Sequence, residues 1–205
     1  MPESLEAVRV FFNQRAARWD ETAVESSPGR LEAMVRRFGL RPGMTVLDVG
    51  TGTGVLLPYL LDRVGGGGRV LAIDVAELML QRARLKLVHP GLDYVCSDVA
   101  ALPLPPARFD AVTCYSCFPH FVDKAAALAE IYRVLRPGGV VFIAHSSSRL
   151  EINRRHRRIA AVRYDVLPPK AEMARLLGAA GFTAAEVEEG RESYLASARR
   201  PVRES

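Results

Sequence analysis

The segment Val46-Leu47-Asp48-Val49-Gly50-Thr51-Gly52-Thr53-Gly54 constrains the fold more than any other part of the chain. Apolar, β-branched residues around a single acid read as a short strand buried on both faces, and such strands belong to parallel sheets. The strand runs straight into alternating glycines, which let a backbone take unusual dihedrals or let a ligand approach it closely. Spacing narrows the ligand. A dinucleotide turn needs G-x-G-x-x-G, its third glycine packing a helix that presents N–H groups to a pyrophosphate. Here the order is G-x-G-x-G, with Val55 where the last glycine would stand. Asp48, just before the glycines, suits a ligand that carries positive charge rather than a diphosphate.

Around this turn the sequence alternates strand and helix signals, the pattern of an α/β domain built on a parallel sheet. Strands are predicted at 44–49, 69–74, 92–96, 110–115, 140–145, 183–188 and 193–198. Helices are predicted at 5–19, 31–38, 54–63, 77–87, 123–135, 149–162 and 169–179. The glycine run Gly65 to Gly68 and the turn Arg136-Pro137-Gly138-Gly139 punctuate the pattern. With 205 residues, 49% of them hydrophobic, the chain suits one domain with a sizeable core. No apolar run approaches the ~18 residues of a membrane span, and Met1-Pro2-Glu3-Ser4 is unlike a signal peptide, so a cytoplasmic location is expected. Three cysteines argue against a disulfide framework.

Ligands of open parallel sheets bind beyond the carboxyl ends of the strands. Those ends carry Asp48 to Gly54, Asp74, Cys96 to Asp98, Cys114 to Cys117, and His145. Asp74 closes the second predicted strand, where an acid can accept hydrogen bonds from adjacent ribose hydroxyls; its alternative reading is a cap for the helix at 77–87. Asp98 follows the third strand, in Cys96-Ser97-Asp98-Val99.

These residues, with Leu135-Arg136-Pro137-Gly138-Gly139, resemble class I S-adenosylmethionine-dependent methyltransferases, in particular the small-molecule branch that includes quinone-type C-methyltransferases. The likeness covers roughly residues 7 to 199. It implies a Rossmann-like, seven-stranded, mostly parallel sheet with helices on both faces and an antiparallel last strand. It also implies one methyltransferase domain over residues 1–205, with residues 1–40 as an N-terminal helical lid and 149–165 as an extra helical segment over the acceptor. The implied cofactor is S-adenosylmethionine, cationic at its amino group and sulfonium, with S-adenosylhomocysteine as product. By the resemblance, Asp48, Gly50, Thr51, Gly52 and Gly54 hold its methionine end, Asp74 and Val75 its ribose, and Asp98 and Val99 its adenine, with Cys114 beside them. In Asp74-Val75-Ala76, Ala76 replaces the serine often found there in the family.

The implied reaction is in-line displacement of a methyl group onto a small-molecule acceptor, for which placement supplies most of the rate. A general base is needed when the acceptor must lose a proton. Tyr115, His120 and His145 are the candidates, each at or near a strand end. Trp19, in the amino-terminal segment that the family lays over its cofactor, and Arg154, His156 and Tyr164, in the extra segment, are expected to contact the acceptor. Arg149, Arg154, Arg155, Arg157 and Arg158 fall among a single acid, Glu151, with Ile152 and Ile159 seven apart on one helical face. This reads as a solvated face or as recognition of an anionic acceptor, since arginine matches carboxylate or phosphate geometry. Nucleic acid is disfavoured by the lack of interleaved aromatics.

Other readings of the same motifs are methylation of a protein or RNA, and a non-catalytic S-adenosylmethionine-binding module. A thiol-ligand site for a metalloid such as arsenite, from Cys96, Cys114, Cys117 and His120, is a further alternative; no metal ligand set is assigned. A nicotinamide oxidoreductase is disfavoured by Val55 and by the absence of a substrate domain.

Overall fold

The computed structural model describes residues 4–22 and 27–202. Parts of the expected lid, residues 1–3 and 23–26, lie outside the described residues, as do 203–205. The elements run α1 (Leu5–Asn13), α2 (Trp19–Thr22), α3 (Pro28–Arg37), β1 (Thr45–Val49), α4 (Leu57–Val64), β2 (Arg69–Asp74), α5 (Glu77–Lys86), β3 (Leu92–Cys96) and β4 (Phe109–Tyr115). They continue with α6 (Lys124–Val134), β5 (Leu135–His145), α7 (Arg149–Arg157), α8 (Lys170–Ala179), β6 (Thr183–Glu189) and β7 (Tyr194–Arg199). One seven-stranded sheet has the order β3-β2-β1-β4-β5-β7-β6, with β7 antiparallel to both its neighbours and the first five strands parallel. This is the expected class I architecture.

The strand alternation of two residues divides the core into two layers. Leu47 and Val49, with Val112, Cys114, Val141 and Ile143, meet α6 and α8 through Leu128, Ile131, Met173 and Leu177. Val46, with Val70, Ala72, Ala111 and Ala144, meets α3 and α4 through Leu31, Val35, Leu57 and Leu60. Each fully buried Leu, Ile or Val side chain contributes roughly 1.5–3 kcal/mol relative to exposure, so both layers stabilise the sheet that presents the strand ends. Asp123 and Ser148 cap α6 and α7, accepting from Ala126 N at 2.9 Å and Glu151 N at 3.3 Å.

Several boundaries differ from the sequence reading. The first helix stops at Asn13 rather than continuing to 19; the chain tightens into a 3₁₀ turn at Ala16–Arg18 before α2. The bend frees the Asn13 side chain, whose Oδ1 accepts from Leu78 N at 3.0 Å in the first turn of α5. The helix after the glycines starts at Leu57 rather than 54, because Gly54 sits at φ +80°. The helix at 149–162 ends at Arg157, since Ile159 is extended (φ −112°, ψ 112°), and a 3₁₀ turn at Ala160–Val162 follows. β5 is longer than expected. Leu135 pairs with Phe109 and Val140 with Ala111, so the Arg136-Pro137-Gly138-Gly139 turn is absorbed as an irregularity within the strand.

Candidate active site

A cavity of about 870 Å³ opens where the carboxyl ends of β1 to β5 meet the amino-terminal helices and α7. On the strand side it is lined by Asp48 to Thr53, Asp74 and Val75, Ser97 to Ala100, Tyr115 to Cys117, and His145. On the opposite side stand Val8, Phe11, Phe12 and Trp19 from the amino-terminal segment, and Ile152, His156 and Val162 from α7 and the turn after it. Phe12 joins the two sides, with its ring edge-to-face to Trp19 at 5.4 Å and to His120 at 5.0 Å.

The glycine turn is shaped by two different needs. Gly50 adopts φ +63°, and a Cβ there would stand 2.5 Å from Cys117 Cβ and 2.8 Å from its Sγ; the thiol lies over the turn and donates to Val49 O at 3.1 Å. Gly52 adopts φ +56° and a Cβ there would meet nothing within 4 Å, so the backbone is bare toward the cavity. Its N–H donates to Asp74 Oδ2 at 2.8 Å. That donor, which a pyrophosphate would need, is engaged by a carboxylate.

Asp74 Oδ1 accepts from Ala76 N, also at 2.8 Å. That bond fixes the turn before α5, but the N-cap position is Ala76, so Asp74 is not the cap of the helix, and each carboxylate oxygen retains a second lone pair that can face a hydroxyl. Burial pushes its pKa above the usual carboxylate range against the opposing pull of these N–H donors. Asp48 is 1% exposed, accepts from Thr113 Oγ1 at 2.6 Å, and is pushed up to about 6, mainly by burial. Two buried acids in one wall make a poor site for an anion and a fitting one for an ammonium or sulfonium. Asp98 Oδ1 accepts from Ala100 N at 3.0 Å, which fixes the turn after β3 on the cavity wall.

Tyr115, His120, His145, Asp48, Gly50, Thr51, Gly52, Asp74, Val75, Asp98, Val99, Trp19 and His156 all border the cavity. Four expected residues do not. Gly54 turns toward Leu57 and Ala83, where a Cβ would come within 3.0 and 3.1 Å. Cys114 lies on the layer of β4 that packs into the core with α6. Arg154 is exposed, because the face of α7 that enters the cavity carries Ile152, Arg155 and His156. Tyr164 is 66% exposed. The arginine that does enter is Arg155, three after Ile152 on the face that Ile152 and Ile159 mark. Tyr115 donates to Ser146 Oγ at 2.7 Å. The thiols are divided between the core, for Cys114 and Cys117, and the exposed end of β3, for Cys96.

A sequence model described as "Methyltransferase domain" matches residues 47–143. The chain is 34% identical over 171 residues to a ubiquinone/menaquinone biosynthesis C-methyltransferase UbiE from an Enterobacter species, covering 79% of this chain and 67% of the relative. The chain belongs to the S-adenosylmethionine-dependent methyltransferases. A UbiE from Hydrogenovibrio crunogenus is 37% identical over 62% of this chain and 49% of its own length, so the methyltransferase spans about half to two thirds of these curated relatives. A crystal structure of an S-adenosylmethionine-dependent methyltransferase from Aquifex aeolicus superposes with a TM-score of 0.73 at 29% identity, over 92% of this chain and 98% of that one. The methyltransferase has no helix, among its described residues, long and apolar enough to cross a membrane.

Proposed function

We propose that this methyltransferase methylates a hydroxylated aromatic small molecule, and the observation that carries the proposal is the division of one cavity into two chemically distinct halves. The acid-lined half, with Asp48, Gly50, Thr51, Gly52, Asp74, Val75, Asp98 and Val99, suits the cationic methionine end, the ribose and the adenine of S-adenosylmethionine. The other half is walled by Phe11, Phe12, Trp19, Phe121, Ile152 and Val162, a surface for a flat apolar ring. Bound S-adenosylmethionine supplies a methyl group on a positively charged sulfur, open to in-line attack.

The protein supplies placement. The two walls hold an acceptor ring against the donor half and exclude water from it. Arg15, Arg18 and Arg155 bring positive charge to the same cavity, which suits an acceptor that reacts as an anion. The likeness to ubiquinone/menaquinone biosynthesis C-methyltransferases supports a reduced quinone ring as the acceptor and carbon as the atom methylated. We read the amino-terminal helices and the segment after α7 as the lid and wall that choose the acceptor.

The test is transfer of labelled methyl from S-adenosylmethionine to 1,4-naphthalenediol under anaerobic conditions, beside parallel incubations with total protein and total RNA. Label is expected in the organic phase. Label in protein or RNA alone would overturn the small-molecule reading. Calorimetry with S-adenosylhomocysteine and with NAD accompanies it; binding of NAD alone would overturn the donor assignment.

A further inference from the structure

Away from the glycine turn, one polar cluster in the cavity wall is not absorbed by donor binding. His120 Nδ1 lies 2.6 Å from Asp165 Oδ2, and both side chains are only 12% exposed. His156 Nδ1 lies 2.6 Å from the backbone oxygen of Asp165, and the two imidazole rings are 4.9 Å apart. The three residues come from the turn after β4, from α7 and from the segment that follows it. His120 and His156 border the cavity beside its apolar half, whereas Asp165 does not line it and meets both from outside the lining.

We propose that Asp165 is a positioning residue that makes His120 the proton acceptor for the methyl acceptor's hydroxyl, a role that rests on the small-molecule reading above. The chemistry follows from which nitrogen is occupied. A carboxylate only accepts, so neutral His120 carries its proton on Nδ1, donates it to Asp165, and keeps the lone pair on Nε2. Phe12 packs edge-on against the ring and limits its rotation.

When a phenolic O–H gives its proton to Nε2, the O–H bond breaks, the electron pair stays on the acceptor oxygen, and the resulting imidazolium faces the Asp165 carboxylate. A ring carbon of the phenolate is then the nucleophile that takes the methyl group, the donor's C–S electron pair staying on sulfur. That carbon releases its own hydrogen as a proton to solvent to restore the aromatic ring, and the imidazolium returns its proton to the acceptor oxygen. His156 holds Asp165 in place: its Nδ1–H donates to the Asp165 carbonyl. Burial and the neighbouring His120 keep His156 below the ordinary imidazole range, so it remains neutral in this role. The charged groups around the pair are Asp165 and Lys124, with Asp74 across the cavity and Arg155 on α7. Asp165 lies outside residues 47–143, the stretch that matches the methyltransferase domain, so the pair is completed by a part of the chain beyond that shared core.

The test begins without any acceptor. In histidine-¹⁵N-labelled protein, at a pH where imidazoles are neutral, His120 is expected as the Nδ1–H tautomer, and Asp165→Ala is expected to move it toward Nε2–H. An Nε2–H tautomer in the unsubstituted protein overturns the proposal. With 1,4-naphthalenediol as acceptor, His120→Gln is expected to lower kcat by about 100-fold, within the usual range for a general base. Asp165→Asn, which preserves shape, should lower kcat by roughly 10-fold or more with little change in KM, and the double variant should be no slower than His120→Gln. Fully multiplying losses overturn the proposal, as does Asp165→Asn with an unchanged kcat and only a lower melting temperature. S-adenosylhomocysteine affinity should be unchanged in all three variants. Failure of the unsubstituted protein to bind it would remove the donor assignment, while the tautomer measurement still decides the His120–Asp165 pair.

Discussion

Replacing Gly50 and Gly52 separately by alanine separates a folding requirement from a binding requirement within one turn. Both glycines have positive φ, at +63° and +56°, so each alanine costs about 1–2 kcal/mol of backbone strain. Only at Gly50 does the new methyl collide, at 2.5 Å from Cys117 Cβ, and overpacking of this kind adds roughly 1–3 kcal/mol. Gly50→Ala should therefore destabilise by about 2–5 kcal/mol and Gly52→Ala by about 1–2 kcal/mol. At Gly52 the methyl enters the volume a ligand would fill, so that milder variant should be the poorer binder per unit of lost stability. Urea unfolding gives the stabilities, and calorimetric titration with S-adenosylhomocysteine gives the affinities. Adding Cys117→Gly to Gly50→Ala should recover the collision part of the loss and leave the strain. The reasoning is refuted if Gly52→Ala binds S-adenosylhomocysteine as the unsubstituted protein does, or if it unfolds as easily as Gly50→Ala.

Asp48, raised from 3.8 to about 6 by burial, disfavours the fold once it ionises, so its contribution to stability falls as pH rises from about 4 to about 6 and is level above. Asp48→Asn should stabilise the ligand-free protein at pH 7.5 by an amount on the order of 3 kcal/mol at most, with the gain vanishing below pH 4; urea midpoints across that range check it. The same variant should weaken S-adenosylmethionine binding, and the unsubstituted protein should lose affinity as pH falls through about 6, because a cationic ligand prefers the ionised acid. Asp20 accepts from Thr53 Oγ1 at 2.5 Å and from Lys86 Nζ at 2.8 Å, joining α2 to the glycine turn and to α5. Asp20→Ala should cost no more than about 1 kcal/mol in urea unfolding, since the Lys86 pair is partly exposed, but should speed ligand release measured by stopped flow.

The acid-lined half of the cavity was legible because its information is local. A strand, a glycine turn and an acid at each of the next two strand ends are short patterns, and a parallel sheet brings successive strand ends together without further instruction. Asp48, Asp74 and Asp98 consequently border one cavity. The apolar half depends on helix phase and on distant approach. Arg154 and Arg155 differ by 100° on α7, and only the second shares the face of Ile152; reading the whole segment as one helix blurred that phase. Cys114 was misplaced by strand alternation, since it points with Val112 into the α6 layer while the next residue, Tyr115, borders the cavity. Asp165 was invisible because its partner His120 lies 45 residues earlier, and nothing in either neighbourhood announces the pair.

The hydrogen bond from Leu78 N to Asn13 Oδ1 gives α5 a cap from a segment that also roofs the cavity. A remote side chain that satisfies a first-turn N–H contributes about 1 kcal/mol, and it is forfeited whenever α1 swings away. A local opening of the amino-terminal helix would therefore also loosen the start of α5. Any molecule that holds α1 down will slow amide exchange at Leu78, a residue outside the cavity lining, so occupancy of the cavity is reported at a surface it does not touch.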